Sequence, residues 1–115
     1  MTKAESVQLL TEKMAKFVAY VGKKLPDDVE AKLAELREKE TNKLAITIYD
    51  TMFKTQELAV ELNRPCCQDT GVLQFWVKCG AYFPLIGELE ALLKEAVVKA
   101  TFAAPLRHNS VETFD

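Results

Sequence analysis

No apolar run in the 115-residue sequence approaches the roughly 20 residues that a membrane-spanning helix needs. Nor do basic residues gather into a stripe. Lys and Arg number 15 against 17 acids, the net charge is −2, and the two signs are mixed along the chain. That distribution argues against nucleic acid as a partner. The opening "MTKAESVQ" lacks the basic and then apolar stretches of a secretory leader, so a cytoplasmic location is expected. Cysteines are few and odd in number (Cys66, Cys67 and Cys79), which argues against a disulfide framework and leaves thiols or metal ligands. There is one histidine, His108, and no C-x-x-C or histidine spacing that suits structural zinc. Internal repeats and low-complexity tracts are absent as well. What remains, 49% apolar and 28% charged residues, is ordinary for a single domain at residues 1–115 that buries a core with little margin.

Four stretches carry helical signals. "TKAE" at residues 2–5 matches a capping box, and Val7, Leu10, Met14, Phe17, Val18 and Val21 then recur at helical spacing until Gly22 and Pro26. A second helix begins at Pro26 with acids near its positive end and carries a narrow stripe of Val29, Leu33 and Leu36. After a weak break at "ETNK", a third runs from about Thr41 to Leu62, with Ile48, Tyr49, Met52, Phe53, Ala59 and Val60 expected inward; Asn63 and Pro65 stop it. The fourth covers residues 88–102, with Leu89, Leu92, Leu93, Ala96 and Val97 on one side. Between the last two, "VLQFWVK" at 72–78 is rich in β-formers and reads as a strand whose Phe75 and Trp76 belong to the core. The expected fold class is therefore mainly α (α+β), about four helices with one short strand. A lone strand needs a partner for its backbone groups. That partner comes from "TFAAPL", from the tail, or from polypeptide outside these residues.

Chemistry concentrates in "NRPCCQDTG", residues 63–71. Asp-Thr-Gly is a natural tight turn, which is reason enough for its presence. Cys67, Gln68 and Asp69 also offer, in succession, a soft metal ligand, a neutral hydrogen-bonding amide and an acid/base group. An aspartic protease half-site does not fit, because that fold is nearly all β. A cysteine nucleophile could take His108 as its base, although nothing in the sequence positions that imidazole. An iron–sulfur centre needs four thiolates, or three where one iron stays open for substrate, and the adjacent Cys66 and Cys67 do not readily serve two irons of one cluster. Cys79, alone in "WVKCG", reads as a small buried hydrophobe.

"LNRPCCQDTG", "FWVKCGAYFPLIGELEALLKEAV" and "APLRHNSVETFD" together resemble the α subunits of the class I fumarase type of iron–sulfur hydro-lyase. The likeness runs along essentially all of the chain, and "APLRHNSVETFD" points to the tartrate dehydratase branch. The resemblance implies that Cys67 ligates a 4Fe–4S cluster, that Gln68 and Asp69 line the substrate site with Asp69 handling a proton, and that Arg107 binds a substrate carboxylate. Cys66 and Cys79 fall where the family carries small or aliphatic residues, so both read as packing residues. The family's other two cluster cysteines lie beyond the position of Asp115. The chain is accordingly expected to be the N-terminal fragment of a longer catalytic α subunit, with an incomplete cluster ligand set and no activity alone.

The implied reaction is dehydration of L-tartrate to oxaloacetate by a hetero-oligomer of α and β subunits. The substrate is a small dicarboxylate, and an arginine fork suits one of its carboxylates. Two alternatives stand beside this one: a class I fumarate hydratase, and a non-catalytic helical module that binds a partner through its unpaired strand. Arg64 attracts a dianion, makes a structural salt bridge or caps the third helix.

Overall fold

The computed structural model describes residues 1–67 and 69–107. It is mainly helical, and its regular elements are α1 (Lys3–Lys23), α2 (Asp27–Lys39), α3 (Lys43–Leu62) and α4 (Leu89–Ala103). The capping box at the start of α1 is formed: Glu5 N–H donates to Thr2 Oγ1 at 3.1 Å, and Thr2 N–H donates to Glu5 Oε2 at 2.6 Å. Asn42 caps α3, its Oδ1 accepting from Leu44 N–H at 2.9 Å and Ala45 N–H at 3.3 Å, so this helix begins just after the expected Thr41. Asn63 ends it in the left-handed region at φ 52°, ψ 55°. Asparagine tolerates that conformation better than most non-glycine residues.

The principal packing joins α1 to α4. Lys3 pairs with Glu88 at the start of both helices, and Leu106, just past the end of α4, lies against Gly22 near the end of α1. The two helices therefore run side by side in the same direction. Their shared core is Val18, Ala19, Ala100 and Ala104, with Leu106 packed against it. Thr11 is buried too, and its hydroxyl donates to Val7 O at 2.7 Å, which removes the cost of an unpaired polar group. The buried face of α1 is thus Thr11, Ala15, Val18 and Ala19, rotated from the expected stripe: Phe17 and Val21 face solvent. Alanines on both helices let the backbones approach closely. On α4 the expected face holds, with Leu92 and Ala96 buried.

α2 and α3 form a looser pair, linked by the Arg37 guanidinium, whose Nε and Nη2 donate to Asp50 Oδ1 at 3.0 Å and Oδ2 at 3.4 Å. Of the residues expected inward on α3, Ala59 is buried, while Ile48, Met52 and Val60 are exposed.

The strand is a correction. Among the described residues there is no strand, and residues 72–78 carry no regular secondary structure. Nothing among the described residues offers a ladder partner, and β-propensity without one does not make a strand. Leu73 and Phe75 line a groove with Leu93 and Val97 of α4, whereas Trp76 is 92% exposed and does not belong to a core here. No helix of the described residues is long and apolar enough to cross a membrane.

Candidate functional site at the helix ends

Parallel packing puts the C-termini of α1 and α4 at one end of the molecule, and the end of α3 meets them there through Asn63. Its Oδ1 accepts from Lys23 Nζ at 2.8 Å, and its Nδ2 donates to Ala103 O at 2.7 Å. Lys23 and Ala103 are the last residues of α1 and α4. One amide thus joins three helix ends and satisfies a terminal carbonyl that α4 leaves open. The converging helix ends carry partial negative charge, and the Lys23 ammonium offsets part of it.

The 63–71 loop departs from this junction. Arg64 N–H returns to Ala59 O at 2.9 Å, completing the α3 end. The backbone of Arg64 therefore takes part in the cap. Cys66 N–H donates to Gly22 O at 3.1 Å, which seats the loop on α1. A Cβ at Gly22 would lie 2.9 Å from Leu106 Cδ2, so a side chain there would make the tip of Leu106 shift. Asp69 Oδ1 accepts from Gly71 N–H at 3.0 Å, and Gly71 sits at φ +66°. This is the side-chain-closed turn that Asp-Thr-Gly favours. Beyond it, Thr70 Oγ1 accepts from Arg107 N–H at 2.9 Å.

The thiols differ in setting. Cys67 is exposed in the loop, and Cys66 beside it is half-buried. Burial, and secondarily the neighbouring Cys67, push the Cys66 thiol above its ordinary value. Cys79 is also exposed, so its expected burial is corrected: residues around 79 pack against nothing that covers it among the described residues.

The structure brings the backbone of Arg107 to the loop that carries Cys67 and Asp69. Gln68 and His108 lie outside the described residues. Among those described, no group of three or more His, Cys, Asp or Glu side chains could hold a metal ion. Cys67 offers one accessible thiol, which fits a single ligand of an iron–sulfur cluster and not a complete set. The sequence reading missed the Asn63 junction and the Thr70–Arg107 tie. The "LNRP" stop signal marks Asn63 as a cap, but its partners lie 40 residues away in each direction, and nothing local announces them.

The fumarate hydratase (fumerase) family profile matches residues 11–115, and the chain belongs to that family. Within it, the chain is similar to the L(+)-tartrate dehydratase subunit alpha of Escherichia coli strain K12. The two are 51% identical over 113 residues, which is 98% of this chain and 37% of the relative. The subunit of the same name from Shigella sonnei strain Ss046 gives the same figures. A putative L(+)-tartrate dehydratase subunit alpha from Methanocaldococcus jannaschii is 34% identical over 89 residues, covering 76% of this chain and 31% of the relative. The chain therefore spans little more than a third of the length of the Escherichia coli and Shigella sonnei subunits. No solved structure matches.

Proposed function

We propose that these 115 residues supply part of the active site of an iron–sulfur hydro-lyase that dehydrates L-tartrate to oxaloacetate. The observation that carries this reading is the 51% identity, across nearly the whole chain, to subunits named for L(+)-tartrate dehydratase. The local geometry supports it: an exposed thiol and a turn-held carboxylate share one loop, and an arginine backbone is tied to that loop.

In this reading Cys67 is one ligand of a 4Fe–4S cluster, and the remaining ligands come from polypeptide outside these residues. Such a cluster, with one iron open, supplies a Lewis acid for a hydroxyl that is to leave. The chain's own residues bind substrate and move a proton. Arg107 offers a planar fork to a substrate carboxylate, and the Gln68 amide hydrogen-bonds the substrate. Asp69 is the acid/base group, and its turn orients the carboxylate through Oδ1. A second subunit completes the assembly as a hetero-oligomer in the cytoplasm.

The test is anaerobic iron–sulfur reconstitution of this sequence within a complete α subunit, together with its partner subunit. Oxaloacetate formation from L-tartrate is followed beside hydration of fumarate. Cys67→Ser is expected to abolish both the visible cluster absorbance and turnover. Asp69→Asn is expected to keep the absorbance and to lose about 10²–10⁴-fold in turnover. Full activity in Cys67→Ser would remove that ligand, and a preference for fumarate would move the assignment to the fumarate hydratases, whose name the family profile carries.

A further inference from the structure

We infer that Thr70 is a positioning residue for Arg107, and that its hydroxyl oxygen joins the substrate-carboxylate arm to the thiol-bearing loop as one unit. This rests on the function proposed above. The two residues stand 37 positions apart, and the bond between Thr70 Oγ1 and Arg107 N–H is 2.9 Å long. Thr70 is half-buried and Arg107 is exposed, so the tie anchors an open arm on a more sheltered point.

The stretch leading to Arg107 is already held on one side. Ala104 N–H closes the end of α4 on Ala100 O at 2.8 Å, Pro105 has no N–H to give, and Leu106 packs on the α1–α4 core. The loop is held independently, at Asn63 by Lys23 and Ala103 and at Cys66 by Gly22 O. Thr70 closes the circuit between them. Asp69, the proposed acid/base group, is its immediate neighbour and is itself oriented by Gly71 N–H. The Thr70 side-chain oxygen therefore helps set the place of the Arg107 backbone relative to Asp69. Placement of this kind matters because a binding group held in place beforehand spares the ordering cost of binding the substrate.

Two substitutions separate the hydroxyl from the shape of the side chain. Thr70→Val keeps the branched volume and lacks an acceptor, while Thr70→Ser keeps the acceptor. The first readout is amide hydrogen exchange at Arg107 in the 115-residue chain, which needs neither cluster nor substrate. Thr70→Val is expected to accelerate it by about five-fold, as loss of a hydrogen bond worth about 1 kcal/mol would. Thr70→Ser should restore protection. The second readout is steady-state kinetics of the complete enzyme with L-tartrate. Thr70→Val is expected to raise KM by about ten-fold with kcat within about two-fold, the pattern produced when binding weakens equally in the ground and transition states. Unaltered exchange at Arg107 in Thr70→Val overturns the inference. So does a fall in kcat and melting temperature at unchanged KM, which would mark Thr70 as structural only. An enzyme that turns over no dicarboxylate at all sinks the proposed function, and the exchange experiment still decides whether Thr70 holds Arg107.

Discussion

Two adjacent cysteines with different surroundings are the sharpest chemical contrast in the chain. Cys66 lends its N–H to Gly22 O and is half-buried; Cys67, one residue on, is exposed. Burial is the larger cause that raises the Cys66 thiol above its ordinary value of 9.0, and the neighbouring Cys67 adds to it. The folded protein therefore holds the Cys66 proton more tightly than the unfolded chain does. Its contribution to stability is complete below the unfolded value and is lost as pH rises through the raised folded value. Because the thiolate is the nucleophile, alkylation should follow the same order. Near neutral pH, Cys66 in a Cys67→Ala variant is expected to react with iodoacetamide more slowly than Cys67 in a Cys66→Ala variant. The Cys66 rate should climb as pH rises through its raised thiol value. Equal rates at neutral pH, read by mass spectrometry, would mean that Cys66 is as open as its neighbour. The loop was legible as a candidate site from its residue types alone. Residue types alone do not separate the two thiols, because exposure depends on the α1 backbone at Gly22, more than 40 positions upstream; the family resemblance does, reading Cys66 as the packing residue, and Cys66 is the less exposed of the two.

At the scale of elements, the seam between α1 and α4 is built largely from small side chains, with Ala19 and Val18 meeting Ala100 and Ala104. Ala100 is fully buried and has no room to grow. Ala100→Leu is expected to destabilise the chain by about 1–3 kcal/mol, the usual cost of overpacking. A urea midpoint measurement checks this, with Val98→Leu as the control because Val98 is exposed on the same helix. Equal midpoints for the two variants would place Ala100 outside the seam. The same seam explains what the sequence could and could not reveal. Helix ends were readable because capping is local: Thr2 with Glu5, and Asn63 before Pro65, announce themselves within a few residues. The face that α1 buries was not, because alanine and Thr11 carry little hydropathy and the larger Phe17 and Val21 dominate any apolar pattern. Residues 72–78 misled for a related reason. Their side chains favour a pleated surface, and a strand also requires a neighbour that no local pattern can supply.

For the molecule as a whole, size and burial both depart from those of a compact chain in the same direction. The Cα radius of gyration is 18.0 Å, against about 13 Å for a compact chain of this length. Among the described residues, the buried apolar positions are Val18, Leu85, Leu92 and otherwise alanines, which remove little area from water. Large apolar side chains lie open instead: Trp76 at 92%, Tyr82 at 100% and Phe102 at 86% exposure, with Leu44, Ile48 and Val60 along α3. Singly exposed apolar residues are ordinary, but this many on a chain with so small a core favour association. In isolation the 115-residue chain is expected to bind a hydrophobic dye and to show a sedimentation coefficient that rises with concentration in the micromolar range. Trp76 and Phe102 lie outside the α1–α4 core, so the double substitution Trp76→Lys, Phe102→Lys removes apolar surface without touching the seam. It should lower dye binding and flatten the concentration dependence while leaving the urea midpoint nearly unchanged. Association that persists in the double variant would put the sticky surface elsewhere, with α3 the next place to substitute.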